Sequence, residues 1–284
     1  MFLSRLATFA AAPFLILACR SAQEPMVIEK EAYVAPVEPR ERTGRGAMRA
    51  LRSSERREDL LVDQCEPGQV LRCGTQLPGA RLELTAPCRR TPAGNHVPDW
   101  AACATPLVLA FDDEPVLFQS PPGEFRIGPF RRTEWVSART PWLALDKNGN
   151  GCVDDEGELF GPAADPYGRA KNGFDTLRSL DANGDGRIDA ADHGFHALQL
   201  WFDVDQDRVC SPGEMVPLHT LPVLALTVQA ASRPRHGAGS YEGESATIEL
   251  TGPSPWGQRA RLVDVYLAPL PSANNELSKP KITP

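Results

Sequence analysis

Residues 181–192 read Asp-Ala-Asn-Gly-Asp-Gly-Arg-Ile-Asp-Ala-Ala-Asp. Side-chain oxygens fall at the first, third, fifth, ninth and twelfth positions, from Asp181, Asn183, Asp185, Asp189 and Asp192. Gly186 stands sixth, where such a loop must turn sharply, and Ile188 eighth, where an apolar anchor is expected. A hard divalent cation takes six to eight oxygens at about 2.3–2.6 Å, and this spacing wraps the chain around one, with the carbonyl of Arg187 as a further ligand. The chemistry expected is coordination of Ca2+. The competing reading is an ion-free polar turn, because Asp, Asn and Gly favour turns by themselves.

Two related stretches lie nearby. In the first, Asp146, Asn148, Asn150, Gly151, Val153 and Asp154 keep the pattern through the ninth position, with Cys152 offering its carbonyl at the seventh. The twelfth residue is Gly157, so Glu156 or Glu158 must close the shell. In the third, Asp203, Asp205, Asp207, the carbonyl of Val209 and Glu214 fall in place, but Arg208 replaces the turn glycine. A left-handed conformation there costs a non-glycine residue roughly 1–2 kcal/mol. The second loop resembles an EF-hand loop, with Asp192 in place of the usual final Glu.

These loops need elements to hold them. Phe174, Leu177 and Leu180 share one face of a helix that Asn172 can cap. Phe195, Leu198 and Trp201 or Phe202 repeat that spacing, so a second short helix is expected between the second and third loops. Pro141 and the run Trp142-Leu143-Ala144-Leu145 bring extended chain into the first loop. Strand-like runs are read at 107–111, 116–118, 125–127, 223–228, 246–250 and 261–267. The expected class is α+β: a strand-rich, disulfide-containing domain with EF-hand-like loops and short helices.

The chain start reads as an export signal. Arg5 precedes an apolar stretch too short to span a bilayer, and Ile16-Leu17-Ala18-Cys19 resembles the lipobox of bacterial lipoproteins. That resemblance makes Cys19 the lipid-bearing residue; an ordinary secretory signal is the alternative. The organisation expected is a signal at 1–18, a flexible tether at 19–60, a Cys-rich segment at 61–105, the loop-bearing domain at 106–270 and a disordered tail at 271–284. Without Cys19 six cysteines remain, an even number that suits disulfides in an exported chain. Cys65, Cys73, Cys88 and Cys103 are expected to pair among themselves, in an order the sequence leaves open. Cys152 and Cys210 would then bridge the first and third loops, or stay as thiols.

Net charge is −7, from 37 acidic and 30 basic residues, and no basic stripe marks a nucleic-acid surface. No enzyme signature convinces. Ser240 lies outside a Gly-x-Ser-x-Gly elbow. His193 and His196 with Cys152 and Cys210 make at best a weak zinc pattern. The tryptophans read as core packing. A metal-dependent hydrolase is therefore the weakest of the functional readings.

Several phrases carry a wider resemblance: Trp142-Leu143-Ala144-Leu145-Asp146, Asn148-Gly149-Asn150-Gly151, Glu158-Leu159-Phe160-Gly161, Asn172-Gly173-Phe174, Leu180-Asp181-Ala182-Asn183-Gly184-Asp185-Gly186 and Ser211-Pro212-Gly213-Glu214. With them, 135–228 resembles the calcium-loop region of large secreted bacterial proteins of the hemolysin-type (RTX-associated) group and of predicted lipoproteins. The resemblance favours Glu158 as the closing ligand of the first loop and implies flanking strands at 106–111 and 262–267. The glycine-rich nonapeptide repeats of the toxins are absent from the sequence, so it implies no pore formation. The expected protein is a lipid-anchored calcium binder of the cell envelope, at the outer membrane or cell surface. A dockerin-like or adhesin-like module for a protein or glycan partner is the alternative.

Overall fold

The run Leu107–Phe111 is apolar throughout because it lies in a sheet covered on both faces. Leu107 and Leu109 enter one core while Val108 and Ala110 enter the other, the two-residue alternation of a doubly buried strand. The computed structural model describes residues 64–74, 80–235, 239–254 and 257–271. The expected signal, Cys19, the tether and the tail beyond Pro271 lie outside them.

Three short strands come first: β1 (Val70–Arg72), β2 (Thr85–Arg90) and β3 (His96–Pro98) form a small antiparallel sheet. The strand Leu107–Phe111 is β4; β5 (Phe118–Gln119) pairs with β6 (Trp135–Val136) as a separate ribbon. The main sheet adds β7 (Trp142–Leu145), β8 (Arg187–Asp189), β9 (Leu198–Trp201), β10 (Met215–Pro217) and β11 (Val223–Thr227). It is completed by β12 (Ala231–Arg235), β13 (Tyr241–Leu250) and β14 (Ala260–Tyr266). Its order is β10-β9-β7-β4-β14-β13-β11-β8, all antiparallel, with β12 joined to the first half of β13.

One core face holds Trp135, Trp142, Trp201, Phe125 and, from β2 and the residue before it, Ala86 and Leu84. The other holds Leu143, Leu198, Leu200, Leu262 and the helix α1 (Gly173–Arg178) through Phe174 and Leu177. The expected disulfides among the first four cysteines are present as Cys65–Cys88 and Cys73–Cys103. The second ties β1's neighbour to the chain entering β4, so the Cys-rich segment shares a core with the larger sheet.

Helix α1 forms as its spacing predicts. The Asn172 side chain accepts the N–H of Asp175 at 2.9 Å, and the buried Asp264 of β14 accepts that of Gly173 at 3.0 Å. The expected α+β class with EF-hand frames is nevertheless overturned. Among the described residues α1 is the single α-helix, and strands dominate. The second expected helix is a 3-10 turn, Phe195–Ala197, followed directly by β9. Leu198 and Leu200 face one core and Trp201 the other, and pairing with β7 and β10 satisfies the backbone on both sides. Two-sided burial decided between strand and helix where i,i+3 spacing could not.

Candidate metal centre

All three acidic loops share one hydrogen-bond scheme. The first-position carboxylate accepts the backbone N–H groups of the fifth and sixth positions, and in the first two loops that of the fourth as well. Asp146 takes those of Gly149, Asn150 and Gly151 at 2.7, 3.2 and 2.7 Å. Asp181 takes Gly184, Asp185 and Gly186 at 2.8, 3.1 and 2.9 Å. Asp203 takes Asp207 and Arg208 at 3.1 and 3.2 Å. The side-chain oxygen of the fifth residue then accepts the N–H of the seventh: Asn150 from Cys152, Asp185 from Arg187 and Asp207 from Val209.

The last carboxylate closes each loop onto its second and ninth N–H groups. Glu158 accepts from Lys147 and Asp154, both at 2.9 Å. Asp192 accepts from Ala182 at 2.8 Å and Asp189 at 3.1 Å. Glu214 accepts from Val204 at 2.7 Å and Ser211 at 3.0 Å. The first loop thus carries one extra residue before its closing group, and that group is Glu158. Glu156 is spent elsewhere, accepting the N–H of Gly128.

The fourth and sixth residues of each loop are left-handed. In the first two loops these are Gly149, Gly151, Gly184 and Gly186; in the third they are Gln206 at φ 61° and Arg208 at φ 67°. A structural reason for Arg208 is its side chain, which leaves the loop and is buried. Its Nε donates to the Pro122 carbonyl at 3.2 Å and Nη2 to that of Thr133 at 2.6 Å. The guanidinium also lies 4.8 Å from the centre of the Trp135 ring. Trp135 in turn donates its indole N–H to Asp203 at 2.7 Å. Core contacts of this kind offset the strain of a left-handed non-glycine residue. The sequence marks Arg208 only as a turn without its glycine and Trp135 only as core packing; their meeting beneath the third loop is not legible there, and the anomalous residue at the turn position is the available signal.

Electrostatics differ among the loops. Asp192 is held below the ordinary carboxylate range, chiefly by the Asp189 N–H and then by that of Ala182. Asp203 is pushed up by burial, against the lowering effect of the Trp135 N–H. Burial raises Glu156 to about 7 and lowers Arg208 to about 10. In the third loop, oxygens of Asp203, Asp205 and Glu214 all lie within 4.8 Å of one another. A cation about 2.3–2.6 Å from each ligand spans such a set, so these residues fit a hard divalent ion. Among the described residues no set of three acids comes as close in the first two loops, where Asn148, Asn150 and Asn183 take ligand positions.

Cys152 and Cys210 do not form the bridge expected of them: both are free, half-buried thiols, and the Cys210 thiol donates to the Ser211 carbonyl at 3.8 Å. Burial, then contact with Cys152, pushes the Cys210 thiol up to about 12. No zinc set of these cysteines with His193 and His196 comes together among the described residues. His196 packs instead against Phe195 and His219. Ser240 is buried and accepts the Ala268 N–H at 2.8 Å. Trp100, Trp135, Trp142 and Trp201 are all buried, as core residues.

The arrangement defines a class: an antiparallel β protein whose strand ends carry repeated acidic loops. Residues 125–268 match the SPM domain family, half of the chain, and the protein belongs to that family. It is also similar to the iron-regulated protein FrpA of Neisseria meningitidis serogroup C, at 42% identity over 140 residues. That match covers 48% of this chain and 12% of the relative, so the chain spans a small part of the relative's length. No helix among the described residues is long and apolar enough to cross a membrane.

Proposed function

We propose that the protein is an exported, lipid-anchored calcium-binding protein of the bacterial cell envelope, and that Ca2+ in its acidic loops stabilises the β-rich body. The observation that carries this reading is the hydrogen-bond scheme repeated in all three loops. In each, a carboxylate from the far end returns to the second and ninth N–H groups. Local turn preferences explain the Asp and Asn contacts near each start, and a capping box explains Glu214 on the Ser211 N–H, but they give no reason for the return to the second N–H of every loop. Each captured ion cancels repulsion among the carboxylates and adds its binding energy to folding, since only the folded loop presents all ligands together. Extracellular modules commonly bind at about 10⁻⁴–10⁻³ M, which suits a structural fixture outside the cell.

Calorimetric titration with Ca2+, alongside Asp181→Ala and Asp203→Ala, tests the reading. Each variant is expected to lose the heat of its own site and part of the calcium-dependent rise in Tm. Unchanged heats and Tm across the series reject it. The anchor rests on the resemblance around Cys19; palmitate labelling that survives Cys19→Ala rejects that part alone.

A second reading, a calcium-organised module for a protein or glycan partner, is favoured by Val204 and Val209. These third-loop residues are 63% and 60% exposed although apolar. Loss of surface capture in Val204→Asp with calcium binding intact would support it.

A further inference from the structure

Between helix α1 and the segment 164–170 lies a groove of about 440 Å³. Ala164, Pro166 and Ala170 give it apolar lining, with Tyr167 and Arg169 on the segment's side and Arg178 on that of the helix. Tyr167 is 74% exposed, so its ring is not spent on the core. The Arg169 guanidinium lies 5.2 Å from the centre of that ring, and among the described residues no hydrogen bond or ion pair engages it. Both side chains stand on a fixed turn. The Asp165 carboxylate accepts the backbone N–H groups of Tyr167, Arg169 and Ala170 at 2.9, 2.5 and 2.8 Å, and Gly168 between them is left-handed at φ 65°. The other charges of the groove are taken up. Asp165 is occupied by those N–H groups, and Arg178 donates to Asp175 at 2.7 Å. In a chain of net charge −7, Arg169 is therefore the open charge here.

We propose that this groove binds a uronic acid unit of an acidic polysaccharide. A planar guanidinium takes a carboxylate through two parallel N–H···O bonds, a geometry that suits Arg169. The C–H face of the sugar ring lies on the bare part of the Tyr167 ring. The two contacts match one ligand, because a uronic acid carries its carboxylate one bond from the sugar ring and Arg169 stands beside the aromatic ring. A phosphate is disfavoured: successive backbone N–H groups of a turn can make an anion nest, but here Asp165 already fills it. A free sugar acid is disfavoured too. Sites for small ligands bury most of the ligand, whereas Pro166, Tyr167, Arg169 and Arg178 are all exposed, so the groove is open and a polymer can pass through it. None of the loop ligands lines the groove, so this site and the calcium sites stand or fall separately.

The test is calorimetric titration of the whole protein, at one fixed calcium concentration, with a hyaluronan oligosaccharide, in which glucuronic acid alternates with a neutral sugar. Saturable binding is expected. Arg169→Gln, Tyr167→Ala and reduction of the ligand's carboxylates to alcohols should each weaken it about tenfold or more. Arg139→Gln removes the same charge from an exposed site outside the groove and should leave the affinity unchanged. Tyr167 and Arg169 are exposed, so both variants should keep the wild-type Tm, which checks that they fold. Absence of saturable heat would overturn the proposal. So would an equal loss in Arg139→Gln, which would mean general charge attraction, or an affinity that survives both groove substitutions. Competition by inorganic phosphate or free glucuronate as strong as that by the oligosaccharide would overturn the assignment to a polysaccharide.

Discussion

At Arg208 two opposing effects meet in one residue. Its backbone occupies the left-handed region, where glycine is the unstrained choice. Its side chain supplies two carbonyls of neighbouring segments with donors and covers Trp135. Arg208→Gly relieves about 1 kcal/mol of strain but leaves a cavity and two buried carbonyls unpaired. We expect a net loss of roughly 2–3 kcal/mol, read from urea unfolding. An unchanged or raised midpoint would show that the buried contacts matter less than the turn. Glu156 offers a pH test of the same kind. Its folded pKa, raised by burial to about 7, lies above the ordinary 4.5. The folded state therefore holds the extra proton between these values, and stability falls as pH rises through that window. Glu156→Gln removes the effect, so its gain over the wild type should grow from pH 5 to pH 8. Part-exposure screens the charge, and we expect a gain of about 1 kcal/mol at pH 8. Thermal melts at both pH values check it. Asp192 runs the other way: its lowered pKa gives stability that is present above the ordinary carboxylate range and lost as pH falls through the folded value.

At the scale of elements, α1 is a short helix held by what surrounds it. Six residues cannot sustain a helix in water, so its ends and apolar face must be fixed by the sheet. The Asn172 cap, the Asp264 carboxylate and the Thr176 hydroxyl on the Gly161 carbonyl do this. Gly173 is required by close approach: a Cβ there would stand 2.5 Å from both Leu107 Cγ and the Phe160 carbonyl oxygen. Gly173→Ala should cost about 1–3 kcal/mol through overpacking, more than the roughly 1 kcal/mol for Asn172→Ala. Denaturant midpoints rank the two, and the reverse order would argue that α1 can move away from β4. The second loop follows α1 directly and contains β8, which pairs with β11. Displacing α1 should therefore weaken cation binding in that loop first.

For the whole molecule, the described residues combine two disulfides, a sheet with apolar layers on both faces and three acidic loops at its margins. If the loops hold Ca2+, the ion and the folded state are linked. At ten times the dissociation constant each site adds about 1.4 kcal/mol, and a chelator removes it. Tm should rise continuously with calcium concentration, beyond the shift given by an equal ionic strength of NaCl. A flat response would leave the loops as ion-free turns. Opening Cys73–Cys103 should be independent of this, costing about 2–4 kcal/mol by freeing the segment that joins the two sheets.

The spacing of Asp, Asn and Gly at 146–158, 181–192 and 203–214 was legible because a loop's hydrogen bonds are local and its residue types are tied to its turns. The N-cap at Asn172, the strands at 107–111, 223–228 and 261–267 and the core tryptophans were legible for the same reason. Whether Phe195, Leu198 and Trp201 formed a helix was not, because three-residue spacing cannot tell one buried face from two. Nor could the linear order reveal that Arg208 would find the carbonyls of Pro122 and Thr133, or that Asp264 would reach the start of α1. It also left Cys152 and Cys210 between thiol and bridge. Those outcomes belong to contacts between distant segments, and their energies exist only once the sheet has brought the segments together.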